Sequence, residues 1–508
     1  MCRNYRVVII AGLSLSIAVL MMTRCGGGSQ SSSMPGSTVT SSSSNASSAT
    51  ASLGSMTLFG ADAPVCDVLS FMVTITGATL TPQGGGAPAS VLAQGQSIKV
   101  DFAQLMDFSS LLTLASVPIG TYSTLTLSLS SPQLTALDAS KNPPATTSIA
   151  TTLTSSTVTV NINPPLDVAS SGSAGLEIEL SLLNSVQVDA TGKVTGTVNP
   201  VFQARPKPAS DQDGMERIGE VEDLEGTVQS VTTTTANSSF TGSFVVQAAN
   251  GSTFTVDTTS ATEFEDDATT LSTLMAGDFV EIDALVDTNG NIVAKEVEVE
   301  QPEEVNLHEA FVGVVTFVTR DTSGKASAFD LVVLKEHPDQ SATMPLESTL
   351  IVNVLPSTRF RTAAKGIDED QLKFGAANLG AGQKVIVLAQ AQAGTTTTAI
   401  NADAVLLKLQ SVLGTFSALL EKGGDDEKAG AFTLIPCSSL FQGQPIIVLT
   451  HNDTAFAELT DLTALKPEPE LVVKGLLLYE PKPISIKEGI AITMPTWVLE
   501  AKQVHQLQ

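Results

Sequence analysis

Basic residues are scarce in this sequence. Its 508 residues include 26 Lys and Arg against 52 Asp and Glu, which gives a formal net charge of −26 at pH 7. Proteins that bind duplex or single-stranded nucleic acid normally present a basic stripe that neutralises phosphates. The composition therefore argues against a nucleic-acid partner and indicates a soluble, self-repelling surface.

Residues that usually carry catalytic chemistry are also few. The four histidines are His308, His337, His451 and His505, and none has a second His, Cys or Glu at metal-ligand spacing. The sequence contains no Gly-x-Ser-x-Gly elbow, no phosphate-binding loop after a strand and no HExxH motif. We therefore expect no catalytic residue, no metal ligand and no cofactor, and we do not expect an enzyme.

Aromatic side chains are rare as well, with one Trp and three Tyr. Binding surfaces for sugars usually require exposed aromatic rings, so the composition speaks against an extended glycan platform. The single tryptophan, Trp497, lies in MPTWVLEA, where the alternation of apolar residues fits a core position as well as an exposed one. Glycan binding therefore stays open as an alternative.

Only two of the four cysteines, Cys66 and Cys437, lie beyond the first 25 residues. They are far apart in sequence and fall in different predicted domains, and the chain contains no CxxC motif or Cys/His metal spacing. We expect two buried free thiols rather than a disulfide.

Acidic residues cluster at four places: 263–268, 300–309, 366–371 and 423–428. Paired carboxylates with turn carbonyls are the ligands that calcium prefers. None of the clusters has the spaced Asp-x-Asn-x-Asn-Gly pattern of a calcium loop, so solvated charged loops are the favoured interpretation. A divalent-cation module remains the alternative.

The N-terminal region has the layout of an export signal. A segment with two arginines, MCRNYR, precedes sixteen uncharged residues, VVIIAGLSLSIAVLMM, and then Arg24, Cys25 and a Gly/Ser tract. This order predicts a signal peptide over 1–25. The apolar core is shorter than the roughly 20 residues that a membrane-spanning helix needs.

Cys25 resembles the lipid-attachment cysteine of bacterial lipoproteins, whose signal is cut just before it. The family carries a small residue directly before the cysteine, where this sequence has Arg24, so cleavage nearby and an uncleaved anchor remain alternatives. Residues 26–56 are almost all small and polar and are predicted to form a disordered tether. The expected location is the cell envelope, with a lipid anchor in a bacterial membrane such as the outer membrane; otherwise the protein is periplasmic or extracellular.

Residues 57–204 alternate apolar and polar residues in many short runs, such as Leu176-Ile178-Leu180, separated by Gly/Pro-rich turns. This pattern predicts a β-sandwich. Pro118, Gly120 and Tyr122 predict a corner where glycine adopts an unusual backbone angle and tyrosine packs over the turn. The segments VTITGATL, KVDFAQL and VPIGTY resemble a family of domains of unknown function in exported bacterial lipoproteins, which implies a prealbumin-like sandwich.

A charged, proline-containing segment at 205–223 is predicted to be a linker, and three similar units follow it at 224–300, 311–408 and 411–508. Each unit starts with an apolar strand that contains a glycine: Gly226 in LEGTVQSV, Gly313 in FVGVVTFV and Gly414 in VLGTFSAL. A strongly bent first strand in a small barrel requires a residue without Cβ at such a position. The repeats resemble a second family of domains of unknown function in exported bacterial proteins.

Further correspondences support three copies of one unit. Phe264, Phe360 and Phe456 fall at equivalent places, and each copy ends in an Ala-x-x-Val segment. Residues 270–275, TLSTLM, are predicted to form a short helix between the third and fourth strands, as in a small OB-like barrel.

The expected fold is all-β, with an N-terminal prealbumin-like β-sandwich followed by three tandem OB-like barrels. The expected function is non-catalytic: a tethered scaffold of the cell envelope for surface architecture, adhesion or assembly, with protein or glycan partners at the cell surface. The alternative is a module that binds a glycan or a divalent cation.

Overall fold

The computed structural model describes residues 52–507 except for gaps at 64–65, 106–109, 139, 171–172, 190–192, 209–218, 234–238, 249–250, 267–269, 300–307, 338–346, 364–372, 391–398, 424–425, 468–469, 482–483, 487–489 and 493–495. The predicted signal peptide, Cys25 and tether residues 26–51 lie outside the described residues. In the part described, no helix has the length and apolar character needed to cross a bilayer. Residues from Ala51 to Gln508 form one compact unit.

The N-terminal part of this unit is built from thirteen strands and one short helix. The elements are β1 (Leu53–Ala63), β2 (Val68–Pro82), β3 (Ala89–Ser90), β4 (Ile98–Asp101), β5 (Ser110–Pro118), β6 (Gly120–Asp138), β7 (Ala145–Ile149), β8 (Thr152–Leu153), β9 (Thr157–Val168), β10 (Ser173–Ser181), α1 (Leu182–Ser185), β11 (Val186–Val188), β12 (Val194–Val198) and β13 (Phe202–Pro206). The first strand begins inside the segment that was predicted to be tether.

The main strands of this region enclose one hydrophobic core, and the predicted alternation is confirmed. On β2, Val73 and Ile75 are buried, whereas Thr74 and Thr76 point away from the core. One group of strands has the order β5-β1-β10-β13 and the other the order β3-β2-β6-β9, and β9 and β13 join the two groups. The core contains side chains from both groups, including Ile75 and Ile178.

The predicted tyrosine corner is confirmed. Gly120 has a φ of +156°, and the ring of Tyr122 is 2% exposed. The Tyr122 hydroxyl donates a hydrogen bond of 2.6 Å to the carbonyl oxygen of Pro118, which fixes the turn between β5 and β6.

The rest of the chain forms three small barrels. The first contains β14 (Glu220–Thr233), β15 (Gly242–Ala248), β16 (Thr253–Thr258), β17 (Glu263–Asp266), β18 (Phe279–Val286) and β19 (Ile292–Val299). The second contains β20 (His308–Arg320), β21 (Ala326–His337), β22 (Thr349–Ala363), β23 (Lys384–Gln390) and β24 (Ala399–Lys408). The third contains β25 (Gln410–Gly423), β26 (Asp426–Pro436), β27 (Ile446–Thr450), β28 (Ala455–Ala457), β29 (Glu470–Glu480), β30 (Ile484–Ile486), β31 (Ile490–Ile492) and β32 (Thr496–Gln506).

The three barrels share one strand order. The second barrel closes in the order β20-β21-β22-β24-β23, and the corresponding order is β14-β15-β16-β19-β18 in the first barrel and β25-β26-β27-β32-β29 in the third. In each barrel the third strand runs parallel to the last one, which closes the ring. The all-β fold class with small closed barrels is thus confirmed.

The repeat glycines occupy the same structural position in all three barrels. A Cβ atom added to Gly226, Gly313 or Gly414 would lie 2.5, 2.2 or 2.4 Å from a backbone carbonyl oxygen of the neighbouring strand. The glycine is therefore required by close approach of two backbones, as predicted for a bent first strand.

The repeat phenylalanines are equivalent in register. Phe264, Phe360 and Phe456 pair with the valines of the terminal Ala-x-x-Val segments. Their partners are Val297, Val405 and Val504. The correspondences inferred from the sequence therefore coincide in the backbone.

Two local expectations are corrected. Residues 270–275 form a hydrogen-bonded turn rather than a helix, because the Asp278 carboxylate accepts a hydrogen bond from the Met275 N–H and Gly277 has a φ of +100°. The segment 205–223, predicted to be a linker, overlaps β13 at its start and β14 at its end. Within it, Lys207 is 2% exposed, and its ammonium group lies 3.9 Å from the centre of the Phe59 ring.

The units pack against each other through apolar side chains. On β1, Leu58 belongs to the sandwich core, whereas Phe59 faces the other way and packs with the core of the first barrel. Phe279 of the first barrel packs with the outer face of the second, which includes Val312 and Leu406. A further core cluster is shared by the second and third barrels.

A buried ion cluster lies between the first and second barrels. The Glu225 carboxylate on β14 lies 2.9 Å from the Lys335 ammonium group and 2.5 Å from that of Lys408, which also contacts Glu281. Burial by itself would raise the pKa of Glu225, but Lys335, Lys408 and Lys384 outweigh it and hold this pKa well below its usual range. The carboxylate is therefore ionised at neutral pH.

The expectation of free thiols at Cys66 and Cys437 is wrong. A disulfide joins the two residues, whose Cα atoms are 5.6 Å apart across a sequence separation of 371. The sequence could not indicate this because the pair forms only when the third barrel packs against the sandwich. The bridge links the first folded unit of the chain to the last.

Candidate functional site: a cleft at the meeting of three units

A cleft with a volume of about 580 Å³ lies where the sandwich, the second barrel and the third barrel meet. The sandwich contributes the turn around Lys141, the second barrel contributes the end of β20 and the segment at Gly380, and the third barrel contributes residues 439–444, Tyr479 and Trp497. The cleft exists only when the three units are packed together.

Trp497 is the centre of an aromatic group on one wall. Its side chain is only 5% exposed, and its ring lies 5.4 Å from the Phe441 ring and 5.2 Å from the Tyr479 ring. A Cβ atom added to Gly380 would lie 2.3 Å from the Trp497 ring, so only glycine fits against it. Trp497 is therefore packed as a core residue, although its ring also lines a cleft.

A loop anchored by the disulfide carries Phe441 into the cleft. After Cys437, the Ser438 hydroxyl and the Ser439 N–H donate hydrogen bonds of 3.0 and 2.9 Å to the Asp67 carboxylate of the sandwich. A single 3₁₀ turn, Ser439–Phe441, follows, and it ends at Gln442 with a φ of +53°. The position of this wall thus depends on the joint between the third barrel and the sandwich.

Arg320, at the end of β20, supplies a positive charge. Its guanidinium group donates hydrogen bonds to the carbonyl oxygens of Gly324, Ala377 and Leu379 at 3.0, 3.2 and 2.6 Å. It also lies 4.7 Å from the centre of the Tyr479 ring, within the range of a cation–π contact. Burial lowers the pKa of Arg320, but a guanidinium group stays charged at any physiological pH.

The predicted candidate residues lie elsewhere, where the structure describes them. Cys25, the acidic cluster at 366–371 and all but the last two residues of the cluster at 300–309 lie outside the described residues. His308 and His337 lie on β20 and β21, and His505 lies on β32. The His451 ring contacts the Glu500 carboxylate at 2.6 Å. Of the side chains in this set that the structure describes, neither His451 nor His505 lines the cleft.

The acidic cluster at 263–268 lies beside a glutamate of the neighbouring strand β19. Carboxylate oxygens of Glu263, Glu265 and Glu296 lie within 4.8 Å of one another, because β17 runs parallel to β19. Glu263 and Glu265 are exposed and Glu296 is half-buried. Three carboxylates at this distance offer oxygen ligands of the kind that calcium prefers.

A pair of carboxyl groups, those of Glu347 and Asp101, lies between the sandwich and the second barrel. The Glu347 carboxylate accepts hydrogen bonds from the hydroxyls of Ser70 and Thr135 on the sandwich. Asp101 lies beside it; one carboxyl oxygen accepts a 2.8 Å bond from the Phe71 N–H and the other is buried without a partner. Burial, reinforced by the Glu347 charge, raises the pKa of Asp101 to about 6.

Two regions of the chain match models of domain families of unknown function. Residues 54–198 match the family described as Domain of unknown function (DUF4382). Residues 225–298 match the family described as Domain of unknown function (DUF5666). The two matched regions are the sandwich and the first barrel, whose sequence segments also resemble two families of domains of unknown function.

Comparison with individual proteins adds little. No curated protein matches the chain. Among solved structures, the chain is similar to "drosophila Unr CSD456", with 11% sequence identity, coverage of 56% of this chain and 97% of that chain, and a TM-score of 0.14. A TM-score of this size does not establish a common fold.

Sequence reasoning missed most of the cleft. The scarcity of tryptophan and tyrosine draws attention to Trp497 and Tyr479, which lie near each other in the last repeat. Nothing local in the sequence distinguishes Arg320 or Phe441 from other residues of an amphipathic strand or loop. Their roles follow from the packing of three units that are distant in sequence.

Proposed function

We propose that the protein is an exported, non-catalytic scaffold of the bacterial cell envelope, held at a membrane by a lipid on Cys25. The observation that carries this proposal is the Cys66–Cys437 disulfide, which bridges 371 positions of the chain. Disulfides persist in oxidising compartments such as the periplasm and the cell exterior, and they are rare in the cytosol. An export signal and a structural disulfide support the same location.

The buried charged groups connect neighbouring units, and this supports a structural role. Glu225, Lys335 and Lys408 connect the first and second barrels, and Glu347 connects the second barrel to the sandwich. These groups stabilise one arrangement of the units. A body fixed at several joints suits a protein that holds partners in a fixed arrangement relative to one another.

The proposal includes a common origin of the three barrels as copies of one OB-like unit. The shared strand order, the glycine of each first strand and the phenylalanine–valine pairs support this relationship. The expected partners are proteins or glycans at the cell surface.

The location is tested by fractionation of a bacterial host and mass spectrometry of the mature N-terminus. We expect an acylated Cys25 at the first position and recovery of the protein with membranes. Cys25→Ser should release the protein into the exported soluble fraction, whereas Cys2→Ser, within the removed signal, should change nothing. An unmodified residue other than Cys25 at the first position would rule out the lipid anchor, and recovery from the cytosol would rule out export.

The scaffold role is tested by complementation of a deletion strain. We expect rescue to follow the stability of the body: the Cys66→Ser/Cys437→Ser variant should rescue poorly, and His451→Gln, at a half-exposed ring, should rescue fully. Full rescue by the double cysteine variant, together with a lowered melting temperature, would contradict a role that depends on the rigid body.

A divalent-cation module is the second candidate, and the Glu263–Glu265–Glu296 cluster favours it. Calcium that binds only the folded protein must raise the melting temperature. Titration with calcium, with Glu265→Gln as the matched variant, distinguishes the two candidates. A rise that the variant abolishes supports the cation module, and no rise at millimolar calcium leaves the scaffold as the better explanation.

A further inference from the structure

The charges that line the cleft have the opposite sign to the protein as a whole. Among the described residues that line it, the charged ones are Arg320 and Lys141, and none is Asp or Glu. The whole chain has 52 acidic and 26 basic residues. The contacts of the Arg320 guanidinium group are three carbonyl oxygens and the Tyr479 ring, so its charge is not neutralised by a carboxylate in the described structure. An anion is therefore favoured here over the rest of the surface.

The same cleft presents apolar ring surfaces. Tyr479 and Trp497 line it, and Phe317 on β20, which is 37% exposed, lines it as well. The Phe317 and Tyr479 rings offer an apolar surface on which the C–H face of a saturated ring can pack. A small inorganic anion would leave this surface uncovered.

The rim supplies neutral hydrogen-bonding groups. Gln442 and Gln444 from the disulfide-anchored loop, with Ser140 and Asn142 from the sandwich, line the cleft. Amide and hydroxyl groups both donate and accept hydrogen bonds, as the hydroxyls of a sugar require. The volume of about 580 Å³ lies in the range of small-molecule pockets, roughly 300 to 1,000 Å³.

We propose that this cleft binds an acidic saccharide, with a carboxylate near Arg320 and Lys141 and a sugar ring against Tyr479 and Phe317. The positive charges in an acidic protein, the ring surfaces and the amide-rich rim together match a uronic acid chain. The inference is independent of the scaffold role, because a scaffold without this ligand would keep every joint described above.

The sole tryptophan provides a direct readout, since Trp497 lines the cleft and the chain contains no other. The full-length exported protein is titrated with trigalacturonate while tryptophan fluorescence is followed. We expect a saturable change that weakens with added salt, as charge pairing at a partly exposed site requires. Cellotriose, a neutral saccharide, and citrate, an anion without a sugar ring, should each bind at least about tenfold more weakly, a difference of about 1.4 kcal/mol.

Two exposed positions test the contacts without disturbing the core. Lys141→Gln should weaken trigalacturonate binding about three- to tenfold, because a partly exposed charge is removed. Its matched control is Lys99→Gln, an equal charge change on β4 outside the cleft, which should leave binding unchanged. Phe317→Ser should weaken binding similarly, whereas Ile351→Ser, at another exposed apolar residue of the second barrel, should not.

Melting curves without ligand show whether each variant is folded, and a ligand-induced rise in melting temperature gives a second measure of binding. The proposal is overturned if trigalacturonate causes no saturable change up to about 10 mM, a concentration at which a binding free energy of about −3 kcal/mol would already be detected. It is also overturned if cellotriose or citrate binds as tightly, or if the two cleft variants bind as the wild type does.

Discussion

Two joints of this molecule hold neighbouring units together by different chemistry. Between the first and second barrels, Glu225 lies in a buried cluster with Lys335 and Lys408. Between the sandwich and the third barrel, the Cys66–Cys437 disulfide is supported by hydrogen bonds to Asp67. A buried ion cluster stabilises only while its groups are charged and paired. A disulfide stabilises mainly by restricting the unfolded chain, whatever the pH.

The difference shows that the sequence separation between two units determines which kind of interaction holds them together. The first and second barrels are adjacent in sequence, so bringing them together costs little chain entropy. Apolar packing and a few charged groups are therefore sufficient to hold them together. The sandwich and the third barrel are separated by two other units, and a cross-link over so long a loop has a large effect on the unfolded chain. The cleft depends on the second joint, because the loop after Cys437 forms part of its wall.

The largest expected effect is removal of the disulfide. Cys66→Ser/Cys437→Ser should lower the free energy of unfolding by about 3–5 kcal/mol, because the loop that it closes is long. Chemical denaturation under oxidising conditions measures this loss. Dithiothreitol should lower the wild-type midpoint to that of the variant and leave the variant itself unaffected; equal midpoints of the oxidised proteins would show that the joint is already held by packing.

Breaking the ion cluster should have a somewhat smaller effect. Lys408→Met should cost about 2–4 kcal/mol, since it leaves Glu225 and Glu281 buried with fewer partners. Hydrogen exchange should show the loss first at the contact of β14 and β24. The control is Lys295→Met at an ion pair whose lysine is 46% exposed, for which less than about 1 kcal/mol is expected. Similar losses in the two variants would show that burial does not set the strength of the pair.

The ion cluster between the first and second barrels should also make stability depend on pH in the acid range. Because the folded pKa of Glu225 lies below its ordinary value of 4.5, its contribution is fully present above that pH and is lost as the pH falls through the lower folded pKa. Lys408→Met should therefore show a weaker loss of stability on acidification than the wild type.

The interface between the sandwich and the second barrel, where Asp101 lies, should respond to pH in the opposite direction. The pKa of Asp101 is raised from 3.8 to about 6, so its contribution is present below pH 3.8 and is lost as the pH rises through about 6. Asp101→Asn cannot ionise and should raise the stability at pH 7.5 by up to about 3 kcal/mol while changing little at pH 4. The groups that face Asp101 are Glu347 and Lys335. A variant that is no more stable than the wild type at pH 7.5 would contradict the raised pKa.

The smallest expected effect tests whether a local change spreads through the joints. Gly313→Ala should cost about 1–3 kcal/mol, because the new Cβ would lie 2.2 Å from the Val332 carbonyl oxygen. Gly77→Ala on β2 is the control, since its Cβ would approach nothing closer than 3.4 Å. Hydrogen exchange should place the loss in the second barrel. Equal weakening of all units would mean that the joints make the body a single cooperative unit.

Much of the fold was predicted from local patterns. Alternation gave β2 and β10, and the corner at Pro118, Gly120 and Tyr122 is as expected. The repeat glycines at 226, 313 and 414 marked the first strand of each barrel because close strand approach excludes a Cβ atom. The turn at 270–275 was mistaken for a helix because the order of a small OB-like barrel places a helix between the third and fourth strands, whereas the neighbouring Gly277 and Asp278 favour a turn.

The sequence by itself determined most of the strands, the corner at Pro118, Gly120 and Tyr122, and the three similar strand patterns, because these depend on residues a few positions apart along the chain. Only the tertiary structure decided the pairing of Cys66 with Cys437, the burial of Glu225 among lysines and the meeting of Arg320, Tyr479 and Trp497 in one cleft. Each of these contacts joins residues from different units, and no periodicity records which surface of one unit packs on which surface of another. Contacts between units arise from the shape and charge of whole surfaces, which exist only after the strands have folded.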